Sequence, residues 1–355
     1  MNTCLTLFAI AILLHKGASH SHDHSHSHGH GHNDHRSLEE GVETCGFQDP
    51  DPETLAEDAK SFALWKSAQP SARISGVAKP EYTIPVYIHI IAPGQNTMVS
   101  RARAWQYVNY VNDAFIETPF DFAVQEITDT VDAAWSNNGL IEHISYKSAL
   151  KRGSSESLNI YFVNSITTHE GSSLAGFTFP PSISDFVGDG ITIARTTSSD
   201  RDRLNTLVHE VGHWLGLLHT FAGDTCDEDS PGDLVGDTPQ HLQPSQSGFG
   251  CNAGQDTCGN LAGTDPTNNY MTYSPRNDAC RSTFTPGQSE RMMYQYERFR
   301  KPAEGAAAVT VTPTIAPLAE EICSGVFQAC STHDDCCFGG CRGPFWIFPQ
   351  FCFFF

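Results

Sequence analysis

Residues 209–219 read His-Glu-Val-Gly-His-Trp-Leu-Gly-Leu-Leu-His, and few eleven-residue stretches leave a chain so little choice of local structure. Residues four apart on a helix share a face, so His209 and His213 aim two imidazoles at one point. Gly216 is free to take a positive φ, which stops the helix and turns the chain. His219 then returns to the same point from below. Three imidazoles with a fourth position open describe a catalytic zinc centre and not a closed structural one. Glu210, at the edge of the same face, is placed to act as a general base towards a water at that centre. The plain alternatives are a helix with incidental histidines, or a relative that holds zinc without hydrolysing anything.

This pattern resembles the metzincin clan of zinc endopeptidases. The resemblance implies a methionine in a tight turn under the metal, and Asn268-Asn-Tyr-Met271-Thr-Tyr273 supplies one 52 residues after His219. It also implies a role for Tyr273 beside the metal or the reacting carbonyl. Within the clan, Thr220-Phe221, Asp237-Thr-Pro239, Asn269-Tyr-Met271, Cys280 and Phe284-Thr-Pro-Gly-Gln288 to Arg291-Met292 are similar to the pappalysins, family M43, in their short secreted fungal and microbial form. The likeness covers about residues 82–300. It implies a secreted endopeptidase acting on proteins or peptides. An extended substrate would lie antiparallel to an edge strand at Leu174–Pro180.

The surrounding pattern fits a mixed α+β domain with a twisted sheet. Strand-like runs are Tyr82–Ile91, Phe122–Ile127, Leu158–Val163, Leu174–Phe179 and Gly190–Ala194. Helical periodicity appears over Ser100–Ile116 (Trp105, Val108, Val111, Phe115), Asp202–Leu217 and Gly287–Arg300. In the resemblance these become a backing helix, an active-site helix and a C-terminal helix.

Upstream, Leu5–Leu14 is apolar, too short to span a bilayer and followed by Gly17-Ala18-Ser19, which reads as a secretory signal over 1–19. No later segment is long and apolar enough to cross a membrane. Segment 20–81 reads as a pro-segment. It opens with eight histidines in 20–35, either a weak metal scavenger or a solvated tail, and continues with eight acids and no base over Glu39–Asp58, with a short helix near Ala56–Trp65. The formal charge of −20, from 21 Lys and Arg against 41 Asp and Glu, argues against nucleic acid as a partner. The expected organisation is 1–19, 20–81, a catalytic domain over 82–301, an Ala/Pro/Thr-rich linker over 302–322 and a Cys-rich module over 323–355.

Five aspartates from Asp224 to Asp237 form either a solvated acidic loop or a calcium site, with Asp224, Asp233 and Asp237 as candidate ligands. Relatives of this type bind calcium in the corresponding loop. Asp278 lies where the resemblance puts the wall of the pocket for the residue after the cut. There it would favour Arg or Lys, or it is an ordinary loop carboxylate.

Eleven cysteines remain after the signal, an odd number. Four lie in the central region and allow three pairings. The family resemblance implies Cys226 with Cys258 and Cys251 with Cys280. Six crowd the tail, where the spacing resembles an inhibitor cystine knot, or knottin, implying 323–337, 330–341 and 336–352 for Cys323, Cys330, Cys336, Cys337, Cys341 and Cys352. The aromatics from Phe345 to Phe355 form either a patch for a surface or substrate, or a face docked on the catalytic domain. Cys45 is the eleventh. Thr44-Cys45-Gly46 resembles a cysteine switch in its Cys-Gly core, the thiolate filling the open zinc position; an intermolecular disulfide is the alternative. Two non-enzymatic readings also stand: metal storage by the histidines, and a spent protease domain carrying a knottin effector.

Overall fold

The computed structural model describes residues 45–47, 49–69, 81–95, 99–168, 171–181, 187–195, 200–244, 254–273 and 280–301, with short strands at 329–330, 340–342 and 350–353. The chain divides into two units, 1–37 and 38–355, and every described residue belongs to the second.

A five-stranded sheet carries the structure: β1 (Tyr82–Ala92), β2 (Phe120–Val131), β3 (Leu158–Val163), β7 (Ile191–Ala194) and β6 (Gly176–Phe177), in the order β2-β1-β3-β7-β6. The first four are parallel and β6 is antiparallel to β7, which makes β6 an edge of opposite direction. β3 is buried at all six positions, as a central parallel strand covered on both faces must be.

In β1 the alternation of side chains decides which layer each joins. Tyr82, Ile84, Val86, Ile88 and Ile90 face a core shared with α2 (Arg101–Ala114) and α5 (Asp200–Trp214). Each fully buried Ile there contributes about 1.5–3 kcal/mol. Ile91, Tyr161, Val163 and Phe177 form the second layer with Tyr146 of α4 (His143–Leu150). On α2 the buried face is Ala104, Tyr107, Val108 and Val111, continued by Phe115; Trp105, one position off that face, is exposed. Counting Trp105 into the apolar set was therefore wrong by one residue.

Two short helices between β2 and β3, α3 (Ala133–Asn137) and α4, have no counterpart in the sequence reading. They are five and eight residues long and are split around Asn138-Gly139, too short for periodicity to show. The run Leu174–Phe179 also forms less strand than expected. Ser173–Leu174 (β5) pairs with Ile166–Thr167 (β4) in a separate ribbon, and only Gly176–Phe177 joins the main sheet. Lys147 fixes this edge: its Nζ donates to the carbonyls of Gly188 and Gly190, each at 2.8 Å, and lies 4.9 Å from the Phe177 ring.

The last helix of the central domain, α6 (Pro286–Phe299), starts with a reciprocal capping box between Thr285 and Gln288. The helix expected near Ala56–Trp65 is longer, α1 (Pro52–Ala68), because Asp51 caps it and Pro52 opens it. None of its residues is buried. In the tail, Ala329–Cys330 (β8), Gly340–Arg342 (β9) and Gln350–Phe353 (β10) form an antiparallel sheet in the order β8-β10-β9, with Cys352 opposite Cys341. No described helix is long and apolar enough to cross a membrane.

His89, inside β1, is placed between Thr128 Oγ1 at 2.8 Å and Asn159 Oδ1 at 3.1 Å, and burial pushes its imidazole down to about 4. Unfolded, it titrates near 6.5. Between those values the unfolded chain binds the extra proton, so stability is intact above pH 6.5 and falls as pH drops towards 4. The loss approaches about 3 kcal/mol. His89→Gln is expected to remove one proton's share of that slope in urea unfolding curves between pH 4 and 6.5, whatever its absolute stability.

Candidate metal centre

Three elements bring the centre together. α5 presents His209 and His213 one turn apart, ends at Trp214, and the chain turns through Gly216 at φ +87°. The turn delivers His219. The Nε2 atoms of His209 and His213 are 3.0 Å apart and those of His213 and His219 3.2 Å. Donors about 2.0–2.1 Å from one tetrahedral zinc would be spaced similarly, so the set fits that ion.

The orientation of the rings is fixed from behind. His209 Nδ1 donates to the Tyr270 carbonyl at 2.7 Å, and His213 Nδ1 to the Leu217 carbonyl at 2.8 Å. With the proton held on Nδ1, the Nε2 lone pairs face the centre. Burial holds all three imidazoles in the neutral, ligating form: it brings His213 down to about 3 and His209 and His219 well below their ordinary value, with their mutual repulsion adding to the effect at His209 and His219. Phe221 stacks on His219 at 4.7 Å, and His241 accepts from or donates to Thr220 Oγ1 at 2.8 Å beside it.

Met271 forms the floor. It is fully buried, and its amide donates to Asn269 Oδ1 at 2.9 Å while its carbonyl accepts from Thr220 at 3.1 Å. Gly212 on α5 lies against it, where a Cβ would come 2.4 Å from Met271 Sδ. Asn269 in turn exchanges two amide hydrogen bonds with Gln288 of α6. Tyr273 packs its ring 4.9 Å from that of His219, and its hydroxyl donates to the Cys45 carbonyl at 3.5 Å. Burial raises the phenol well above 10, and the neighbouring Cys45 and Glu210 add to it.

Glu210 is fully buried and reaches the edge strand: a Cβ on Gly176 would lie 3.1 Å from its Oε1. The same glycine receives the upstream segment. Gly46 donates to the Gly176 carbonyl at 3.0 Å, and Cys45 pairs with Gly176 in parallel. The candidate ligand atoms of Cys45, His209, His213 and His219 all lie within 4.8 Å of one another, one such group among the described residues. Phe47 then stacks on His213 with ring centroids 3.9 Å apart, and Asp49 Oδ1 comes within 3.9 Å of His219 Nδ1. Burial pushes the Asp49 carboxyl up to about 6.

Residues 158–297 match the peptidase family M43, described as pregnancy-associated plasma protein-A. An extracellular metalloprotease of Pyricularia oryzae is 35% identical over 269 residues, 72% of this chain and 89% of its own length. The chain belongs to the M43 peptidase family. An extracellular metalloprotease of Colletotrichum graminicola is 31% identical over 271 residues, 74% of this chain and 92% of its own. Among solved structures, mature mirolysin of Tannerella forsythia in complex with a cleaved peptide overlaps 62% of this chain and 98% of its own, at 22% identity and a TM-score of 0.47.

The remaining candidates of the M43 chain fall into two groups. Asp224, Asp233 and Asp237 each serve a different part of their loop. Asp224 accepts from the Gln243 amide, Asp233 from Val235 and Thr238, and Asp237 from Thr285 and Gly287. Cys226 is joined to Cys258, and Cys280 is disulfide-bonded as well. Cys251, Asp278 and the tail cysteines 323, 336 and 337 lie outside the described residues. Phe47, Asp49 and His241 also touch the centre or its support. Phe47 and Asp49 follow Cys45 by two and four residues and come in with it, while no local pattern marks His241.

Gly216→Ala is expected to be costly. It puts a side chain at positive φ with its Cβ 2.4 Å from Gln295 Cγ, a strain of about 1–3 kcal/mol in the turn that carries His219. Elemental analysis of the folded variant should show less than one zinc per chain.

Proposed function

We propose that this protein is an extracellular zinc endopeptidase, made as a latent precursor, that hydrolyses peptide bonds within proteins. The observation that carries the reading is the convergence of three neutral imidazoles on one point, with Glu210 between that point and the sheet edge. Zinc in this donor set supplies Lewis acidity, polarising a scissile carbonyl and bringing water to a pKa near 7.

The chain's own groups do the rest. An extended substrate pairs its main chain with β6, antiparallel, and passes Gly176, where the lack of a side chain leaves room beside Glu210. The Glu210 carboxylate takes the proton of the attacking water and passes it to the leaving amine. Tyr273, whose phenol keeps its proton across the neutral range, donates to the oxyanion that develops on the substrate carbonyl. Met271 carries the floor under the imidazoles and moves no proton.

Latency follows from Cys45. Its sulfur is within reach of the position that water needs, and thiolate is a strong zinc ligand. The segment around it runs parallel to β6, the reverse of the direction in which a substrate would be cut. Segment 20–81 is accordingly the pro-segment, removed after a signal over 1–19. Calcium at the acidic loop would rest on Asp233, which lines a cavity of about 400 Å³ with Glu228 and whose carboxyl burial pushes up to about 7, a cost that a divalent cation would offset.

Two experiments test the proposal. Casein cleavage by the matured protein should vanish with a zinc chelator, and Glu210→Ala should lower kcat by about 10²–10⁴ while retaining zinc. Retained turnover in zinc-loaded Glu210→Ala overturns the assignment. Separately, Cys45→Ala precursor should cleave a peptide before any processing, whereas the native precursor stays silent; equal latency removes the switch.

A further inference from the structure

α1 is held on α6 by Trp65 bonding Glu297, by Lys66 paired with Glu290, by Phe62 against Tyr294 and, with the most bonds, by one carboxylate. Asp58 accepts from Arg291 Nη2 at 2.7 Å, Tyr294 Oη at 3.0 Å, Gln295 Nε2 at 2.8 Å and Arg298 Nη1 at 2.8 Å. Positions 291, 294, 295 and 298 follow the i, i+3, i+4, i+7 spacing of one helix face, so α6 alone supplies the complete donor set. Two of the donors are guanidinium groups, which form the stronger, charge-assisted kind of bond to a carboxylate. Four of the chain's 21 Lys and Arg fall within 291–301, a local concentration in a chain of formal charge −20.

This face backs onto the metal centre. Arg291 Nε donates to the Gly216 carbonyl at 3.1 Å, and Gln295 covers the Cα of the same glycine, whose turn delivers His219. A cavity of about 140 Å³ lies between the upstream segment, from Phe47 to Asp58, and the face formed by Pro180, Gly216, Leu218, Arg291 and Arg298, so the two places share one continuous wall of the domain. None of α1's residues is buried, although Trp65 packs on the edge of the core, and its departure takes the carboxylate partner away from the four donors.

We propose that this face of α6 is a carboxylate-binding site of the processed enzyme, filled by Asp58 in the precursor and by an acidic side chain of a protein substrate once residues 20–81 are gone. It rests on the protease reading above. Direction sets where that acid lies. The pro-segment passes Gly176 parallel to β6 and reaches the site 13 residues later, at Asp58. A substrate passing Gly176 in the opposite sense crosses the same wall, vacated by the pro-segment, with the residues that precede its cleaved bond. The site therefore selects proteins with an Asp or Glu upstream of the cut.

The test uses the secreted, processed protein and pairs of synthetic peptides around one bond that it cuts, with Asp or Asn placed at successive positions about 8–14 residues before that bond. At one position the Asp peptide should show kcat/KM about tenfold above its Asn partner, carried by KM, as a charge-assisted hydrogen bond implies. In Arg298→Ala the ratio should fall to near one. The same pairs, fluorescently labelled and titrated in anisotropy with zinc chelated, should show the same preference in Kd. Preference in binding without cleavage keeps the site and removes the protease reading. Cleavage with equal constants for every pair, or a preference undiminished in Arg298→Ala, overturns the site.

Discussion

Three imidazoles must be kept neutral, dry and aimed at one point, and much of the molecule answers to that demand. Water would allow the rings to protonate and rotate. Burial prevents the first, and the carbonyls of Tyr270 and Leu217 prevent the second. One of those carbonyls belongs to the methionine turn and the other to the turn after Gly216. The position of each ligand is thus inherited from backbone that is itself pinned, by Asn269 to Gln288 and by Gln295 across Gly216. α6, outside the ligand set, supplies both of those supports.

The sheet serves the same end from the other side. Its central strands β3 and β7 are buried along their whole length and make a firm platform, and its antiparallel edge beside the metal centre, β6, is two residues long. That edge is steadied from behind by a buried lysine, Lys147, whose ammonium finds two main-chain carbonyls and a bed of aromatic rings. Glu210 and Gly176 meet in the narrow space between helix and edge, where a side chain on Gly176 would crowd the Glu210 carboxylate.

What was legible in the sequence is what local geometry dictates. A spacing of four on a helix, a glycine two residues past its end and a third histidine three further on follow from local backbone geometry, so the convergence of the three histidines, with Glu210 beside them, could be read directly. β3 was legible to the residue because a strand buried on both faces leaves an unbroken apolar run. The losses have a common cause. α3 and α4 are shorter than the period that would reveal them, and the breadth of the edge run depended on which neighbour each half found. The grip of α1 on α6 joins residues more than 230 apart, and Asp58 is one acid among eight in its stretch until Arg291 and Arg298 are beside it. In the acidic loop, spacing in sequence does not give the partners: Asp224, Asp233 and Asp237 sit close together in the chain but each bonds a different stretch of it.

Phe47 lies flat against His213, and Cys45 closes the other approach, so the ligands are covered while this segment stays in place. On the proposed reading, an ion bound while the precursor folds would not exchange freely until that segment is removed. The metal would then be chosen in the compartment where the chain is made, before it meets whatever ions prevail where it acts.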